Sequence, residues 1–425
     1  LIREDHKGAI MKNNLRLKIL VMAMFSILLL LLIIGPEING SIVAANNQVD
    51  SLKSDVVDSE KETTKSAIDK HESPSDVTSE ITEPQVAFQL KYDKYPLTYT
   101  YLLIQNNTVN IRKGPSTEEP VLKAVSKNEK LSYIETIENE GKWYHVTWQE
   151  GEQRFFGFVN ADVAVKRVFQ FDKMHDSILK AEKSSAKGPL TYIANYHNLR
   201  GYAPKYQGEE LDKNGNRRSQ SAPGYFNLSD LNEFDYLGDG TLVRVLSAGS
   251  HYTKVAQVKD ENVYFVPNKY IATPAAVTAI SKAIVIDRAN QNEVVFEKMG
   301  EDWKIISYTL ATTGTVGKYH QPTPLGYFYA IEKRERFYYY KDGTTSIQGY
   351  APYSIRFAGG AYIHGVPVNY KYNAEGGRID PGKVEYSRTI GTEPLSHKCV
   401  RNYTSHAKFI YDWYTPGEVI VIVIE

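Results

Sequence analysis

The chain has 425 residues, 42% hydrophobic and 24% charged, with 50 Lys and Arg balanced by 50 Asp and Glu. That length fits roughly two to four domains, and zero net charge lacks the basic surplus that nucleic acid requires of a partner. The single cysteine, Cys399, excludes an internal disulfide and any zinc site built from several thiolates, while 31 Tyr, 29 Gly and 18 Pro favour strands and turns.

Residues 1–35 read as a cytoplasmic stub followed by a signal-anchor or signal peptide. Ile19 to Ile34 is apolar throughout except for Ser26, with Lys12, Arg16 and Lys18 just before it and no basic residue after it until Lys53. Basic flanks stay in the cytoplasm, so the remainder is expected outside, either membrane-anchored or secreted. The run is short for a bilayer core of about 30 Å, though Leu15, Leu17 and Ile38 extend it. Cleavage near Val43-Ala44-Ala45 is the alternative to a retained anchor. Residues 36–92 read as a disordered acidic, Ser/Thr-rich tether. Between Asn47 and Gln85 there is no aromatic residue, and ten acidic residues outnumber four lysines. Such a stretch cannot bury enough apolar surface to offset its ordering entropy.

Residues 95–167 alternate polar and apolar positions in short segments separated by turns such as Lys113-Gly114-Pro115-Ser116 and Glu140-Gly141-Lys142. About five strands and a small barrel or sandwich follow from that pattern. The segment Asn110 to Ser116, the pair Trp143-Tyr144 and the closing Gly157-Phe158-Val159 resemble the bacterial SH3 domain in order and spacing. That resemblance implies a module that binds wall peptides or positions its neighbour. Residues 168–275 read as a possible second, degenerate copy, with strands at Leu242–Val245, Tyr252–Val255 and Val263–Val266. The same stretch predicts a short helix around Ser177 to Ser184 and a polar loop from Gln207 to Pro223.

Residues 280–425 predict a β-rich domain with one main helix. Strands are expected at Ala283–Asp287, Val294–Lys298, Trp303–Thr312, Gly326–Glu332 and Val419–Ile424. Ala407, Ile410, Tyr411 and Tyr414 recur at helical spacing, with Thr404 as N-cap and Thr415-Pro416-Gly417 as the stop. Cys399 lies just before this helix, among His397, Lys398 and Arg401. A lone cysteine in an oxidising compartment is exposed to unwanted oxidation unless it is buried or used, and cationic neighbours lower a thiol pKa. A thiolate–imidazolium pair is therefore expected. His364, at the end of an apolar strand entering Gly365, is the better base. His397 is too close in sequence for in-line geometry, although an extended backbone would place it on the same face as Cys399. A three-ligand zinc site of His364, His397 and Cys399 is the competing reading.

His364-Gly365, Ser396-His397 and Cys399 with Arg401 resemble the YkuD-type L,D-transpeptidase catalytic domain. Thr312-Thr313-Gly314, Thr323 to Phe328 and Tyr411-Asp412-Trp413 through Val421 also match segments of that family. The resemblance implies that Cys399 is the nucleophile and His364 the proton donor and acceptor. It implies further that the Gly365 carbonyl orients His364 and that the Lys398 backbone N–H stabilises an oxyanion. Ser396, His397 and Arg401 would contact substrate, with no metal and no cofactor. The partners would be donor and acceptor stem peptides of peptidoglycan, joined in 3→3 cross-links with release of D-Ala. An L,D-carboxypeptidase using water, a non-catalytic wall-binding scaffold and a papain-like wall hydrolase are the alternatives. In papain-like enzymes the Cys precedes the His, the reverse of the order here. Two departures from the family pattern stand out. Lys398 replaces the usual Gly, and an inserted loop of about Asn369–Thr389 lengthens the His–Cys separation.

Overall fold

The computed structural model describes residues 84–425 except 96, 214, 273–276 and 278. The expected anchor, and the tether up to residue 83, lie outside the described residues. No helix among the described residues is long and apolar enough to cross a membrane.

The chain is mainly β. Residues Thr100–Val168 form a seven-stranded antiparallel sheet around Leu102, Ile104, Ile111, Val146 and Val159. Residues Leu190–Pro267 form a six-stranded antiparallel sheet. Between them runs a helix, Phe171–Ser185, longer than the short segment expected. The predicted polar loop is also more structured than its composition suggests. It ends in a strand, Ser221–Tyr225, paired with Phe234–Gly238.

The last third is two packed sheets and one helix. The first sheet runs, edge to edge, through Asp302–Leu310, Asn292–Met299, Lys282–Asp287, Val419–Ile424 and Gly326–Tyr329. Lys282–Asp287 and Val419–Ile424 pair in parallel and are covered on both faces. This explains their unbroken apolar runs, which lack the alternation of half-exposed strands. Ile284, Ile286, Val421 and Val423 face the second sheet, whereas Ala283, Val285, Ile420 and Ile422 face Met174 and Ile178 of the first helix. The second sheet runs Glu332–Tyr340, Ile347–Ala358, Ala361–His364, Val400–Arg401. Helix Thr404–Trp413 buries Ala407 and Ile410 against it.

Thr404 does not cap this helix. Tyr403 holds the cap position without a side-chain bond, while Thr404 Oγ1 accepts from Val366 N (3.0 Å) and donates to Val384 O. The β-branched hydroxyl is used to clamp the chain that follows Gly365. The segment 84–92, expected as the end of the tether, lies along the edge of the first sheet. Gln89 N and Lys91 N donate to Ile305 O and Ile306 O (2.9 and 2.7 Å), and Phe88 stacks on Tyr99. The aromatic residues that resume at Phe88 supply the burial that the preceding stretch lacks.

The middle sheet is keyed to the second sheet at one turn. Asp239 Oδ2 pairs with Arg356 Nη1 at 2.6 Å and accepts from Gly359 N at 3.2 Å, all buried. Gly240 has φ +86°, and an added Cβ would sit 1.8 Å from Phe357 O. Only glycine permits that approach. Removing Asp239 leaves Arg356 with only Glu332, at 2.8 Å, and leaves Gly359 N without its acceptor. Asp239→Ala is therefore expected to lower stability by about 1–3 kcal/mol, measured by urea unfolding of the chain. A loss under about 1 kcal/mol would show that the pair contributes little to the junction.

Candidate active site

Two short strands create the site. Ala361–His364 and Val400–Arg401 pair in parallel, with Ile363 opposite Val400 and His364 opposite Arg401. Side chains alternate across a strand. Ile363 and Val400 therefore enter the core between the sheets, while His364, Cys399 and Arg401 share the opposite face. The spacing of strands and residues places the Cα atoms of His364 and Cys399 roughly 8 Å apart, within side-chain reach. His364 and Cys399 are both buried, 4% and 7% exposed.

Gly365 does two jobs. Its carbonyl lies 2.6 Å from His364 Nδ1, which fixes the proton on Nδ1 and leaves Nε2 as the free base. A Cβ at Gly365 would meet Thr404 Oγ1 at 2.8 Å and Pro352 Cγ at 3.0 Å, so packing also requires glycine there. The Cys399 thiol donates to Gly360 O at 3.6 Å, in the turn that Asp239 grips from the middle sheet.

Backbone bonds strap down the approach to Cys399. Leu395 N and Ser396 N donate to Thr313 O, Thr315 N to Ser396 O, and Gln321 N to His397 O at 2.6 Å. Thr323 Oγ1 accepts from Gly314 N (2.8 Å) and donates to Lys398 O (2.9 Å). A Cβ on Gly314 would stand 2.7 Å from Lys398 Cα, which accounts for the glycine in Thr312-Thr313-Gly314. Ser396 is buried at this junction, 2% exposed. Lys398 is not among the residues with positive φ, so its backbone does not require the family's glycine. Its side chain reaches Gln220 Oε1 (3.3 Å) in a cavity of about 680 Å³. That cavity lies between the middle sheet and the last third and is lined by Arg217, Asp239, Arg288, Gly359 and Lys398 among others.

His397 does not join Cys399 and His364. Its Nε2 bonds Asp342 Oδ1 at 2.8 Å and its ring stacks on His320, with centroids 3.9 Å apart. Among the described residues, the zinc set of His364, His397 and Cys399 is therefore not assembled. Arg401 is half-buried, and its Nε has no hydrogen-bond partner among the described residues. The inserted loop carries a small hairpin, Lys371–Tyr372 with Arg378–Ile379. It is tied to the second sheet through Asp380, which bonds Arg336 (2.7 Å) and Tyr350 (2.9 Å).

Burial pushes the Cys399 thiol up, outweighing the Tyr362 backbone together with Arg401 and Lys398, which act the other way. Burial also takes His364 down to about 4, against the Gly365 carbonyl that favours its charged form. Lys398 is lowered to about 8 by the same cause. The expected thiolate–imidazolium pair is thus replaced at rest by a neutral thiol and a neutral imidazole. Sequence shows the cationic neighbours but not the desolvation that outweighs them. It also does not reveal Gly360, Gln220 and Asp239, nor the bond from Thr323 to Lys398 O; the Gly359-Gly360 pair is the visible sign of a turn, though not of its role.

Residues 281–423 match the family described as YkuD, the L,D-transpeptidase catalytic domain, and the chain carries that domain. No curated protein matches the chain. Among solved structures, the chain is similar to a fused Zn-dependent amidase/peptidase/peptidoglycan-binding protein from Clostridium acetobutylicum. That similarity is 22% identical, with TM-score 0.23, and covers 34% of this chain and 52% of the other, so the chain spans about half that protein's length. It is also similar to an L,D-transpeptidase from Mycobacterium smegmatis, 18% identical with TM-score 0.27, over 43% of this chain and 82% of that one. L,D-transpeptidase 1 of Mycobacterium tuberculosis is 17% identical with TM-score 0.24, over 38% and 78%.

A thiol with a raised pKa reacts only as pH climbs past that value. Alkylation of Cys399 across pH 6 to 11 should give a midpoint above the free value of about 8.5. A midpoint below it would show that the cations outweigh burial.

Proposed function

We propose that this chain is a cell-wall L,D-transpeptidase in which Cys399 is the nucleophile and His364 the general base and acid. The observation that carries this reading is the parallel pairing that sets His364 and Cys399 on one face within the matched domain.

His364 Nε2 takes the thiol proton as Cys399 Sγ attacks the carbonyl carbon of the third residue of a tetrapeptide stem. Backbone N–H groups of Lys398 and Cys399 receive the developing oxyanion, an interaction worth about 2.7–4 kcal/mol per donor in other acyl-transfer enzymes. Collapse of the tetrahedral intermediate breaks the bond to D-Ala, whose amine leaves with the proton from His364. The resulting thioester is attacked by a side-chain amine of a neighbouring stem. That amine's proton passes to His364, and the thiol is regenerated as the 3→3 cross-link forms. Arg401, with its unpartnered Nε, suits a stem carboxylate. Ser396 shapes the pocket floor, and His397 acts from its rim. The cavity between the middle sheet and the last third meets this site only through Lys398 and Gly359, since neither Cys399 nor His364 lines it.

The substrate places the enzyme outside the cytoplasm, with the stretch before residue 84 as its attachment to the membrane or its export signal. Residues 95–167 act as an SH3-like module, and residues 168–275 as a second module that completes the substrate cleft.

The full chain, incubated with a tetrapeptide-stem muropeptide and an amine acceptor, should form cross-linked dimer detectable by mass spectrometry. Cys399→Ala should abolish both dimer and D-Ala release, since no second thiol exists. D-Ala release without dimer would select the carboxypeptidase reading. No change in either would select the scaffold.

A further inference from the structure

Three segments that are distant in sequence bring metal-ligating side chains together beside the nucleophile's strap. His320 comes from the loop after Gly314, Asp342 from the tip of the hairpin joining Glu332–Tyr340 to Ile347–Ala358, and His397 from the segment entering Cys399. One ligand atom from each lies within 4.8 Å of the others. His397 Nε2 and Asp342 Oδ1 are already at 2.8 Å, and the two imidazoles stack at 3.9 Å with planes 21° apart.

The loop is shaped to hold His320 there. His320 N bonds Gly317 O (3.1 Å), and a Cβ at Gly317 would press on the His320 ring at 3.2 Å. The ring itself makes no hydrogen bond among the described residues.

We propose that His320, Asp342 and His397 form a divalent-cation site that takes Zn²⁺, with water completing the coordination. Two imidazoles and one carboxylate are a borderline donor set that suits zinc better than the hard cations. Metal–nitrogen bonds of about 2.0–2.1 Å in a tetrahedron put ligand atoms roughly 3.4 Å apart. The wider donor separations must therefore close by at most about an ångström and a half, while His397 Nε2 and Asp342 Oδ1 open by about half an ångström and the stacked rings turn so that their nitrogens converge, movements that side-chain rotation at this partly exposed rim supplies. The bound ion would pin the hairpin tip to the strand entering Cys399. It would lie outside the Cys399–His364 pair and take no part in acyl transfer.

The test uses the full chain stripped with chelator and titrated with Zn²⁺, read as bound metal per chain and as affinity by calorimetry. One Zn²⁺ per chain is expected, retained in Cys399→Ala and weakened at least tenfold in both His320→Ala and Asp342→Asn. Three results would overturn the site: no stoichiometric zinc, binding lost in Cys399→Ala, or binding unchanged in both rim variants. Metal binding is read without turnover, so its failure is distinct from failure of the transpeptidase reading.

Discussion

The active-site arrangement depends on the parallel pairing of two very short strands, Ala361–His364 and Val400–Arg401. A two-residue strand has little stability of its own. It is held because Ile363 and Val400 are sealed into the core between the sheets, and because the segment before it is bonded to residues 312–323 almost residue by residue. A shift of one residue in this register would turn Cys399 into the apolar core and Val400 out of it. The register therefore fixes the chemistry.

The pairing has an electrostatic consequence. Burial of the Cys399 thiol and of the His364 imidazole disfavours the charged form of each. The middle sheet contributes to the same end. Asp239 bonds both Arg356 and Gly359 N, fixing the turn whose Gly360 carbonyl accepts the hydrogen bond of the Cys399 thiol.

Local signals are legible in the sequence. The strands at Ala283–Asp287 and Val419–Ile424 and the helix ending at Trp413 all depend on near neighbours. Interactions across long separations were not legible. Arg356 and Asp239 lie 117 positions apart, and Thr323 reaches Lys398 across 75. Thr404 carries the residue type of a cap, but its hydroxyl is claimed by Val366 and Val384, which local pattern cannot show. His397 follows the alternation that would place it with Cys399, yet a hairpin tip from residue 342 captures its ring. The thiol's charge state was misjudged for a related reason: charged neighbours are written in sequence, and burial is not.

The neutral pair is tested most directly by the ring-nitrogen chemical shifts of His364 in the full chain at pH 7. The account predicts a single protonated nitrogen, Nδ1, held by the Gly365 carbonyl, with Nε2 free and no titration of the ring until pH approaches about 4. A doubly protonated imidazolium at pH 7, lost in Cys399→Ala, would contradict it and restore the ion pair.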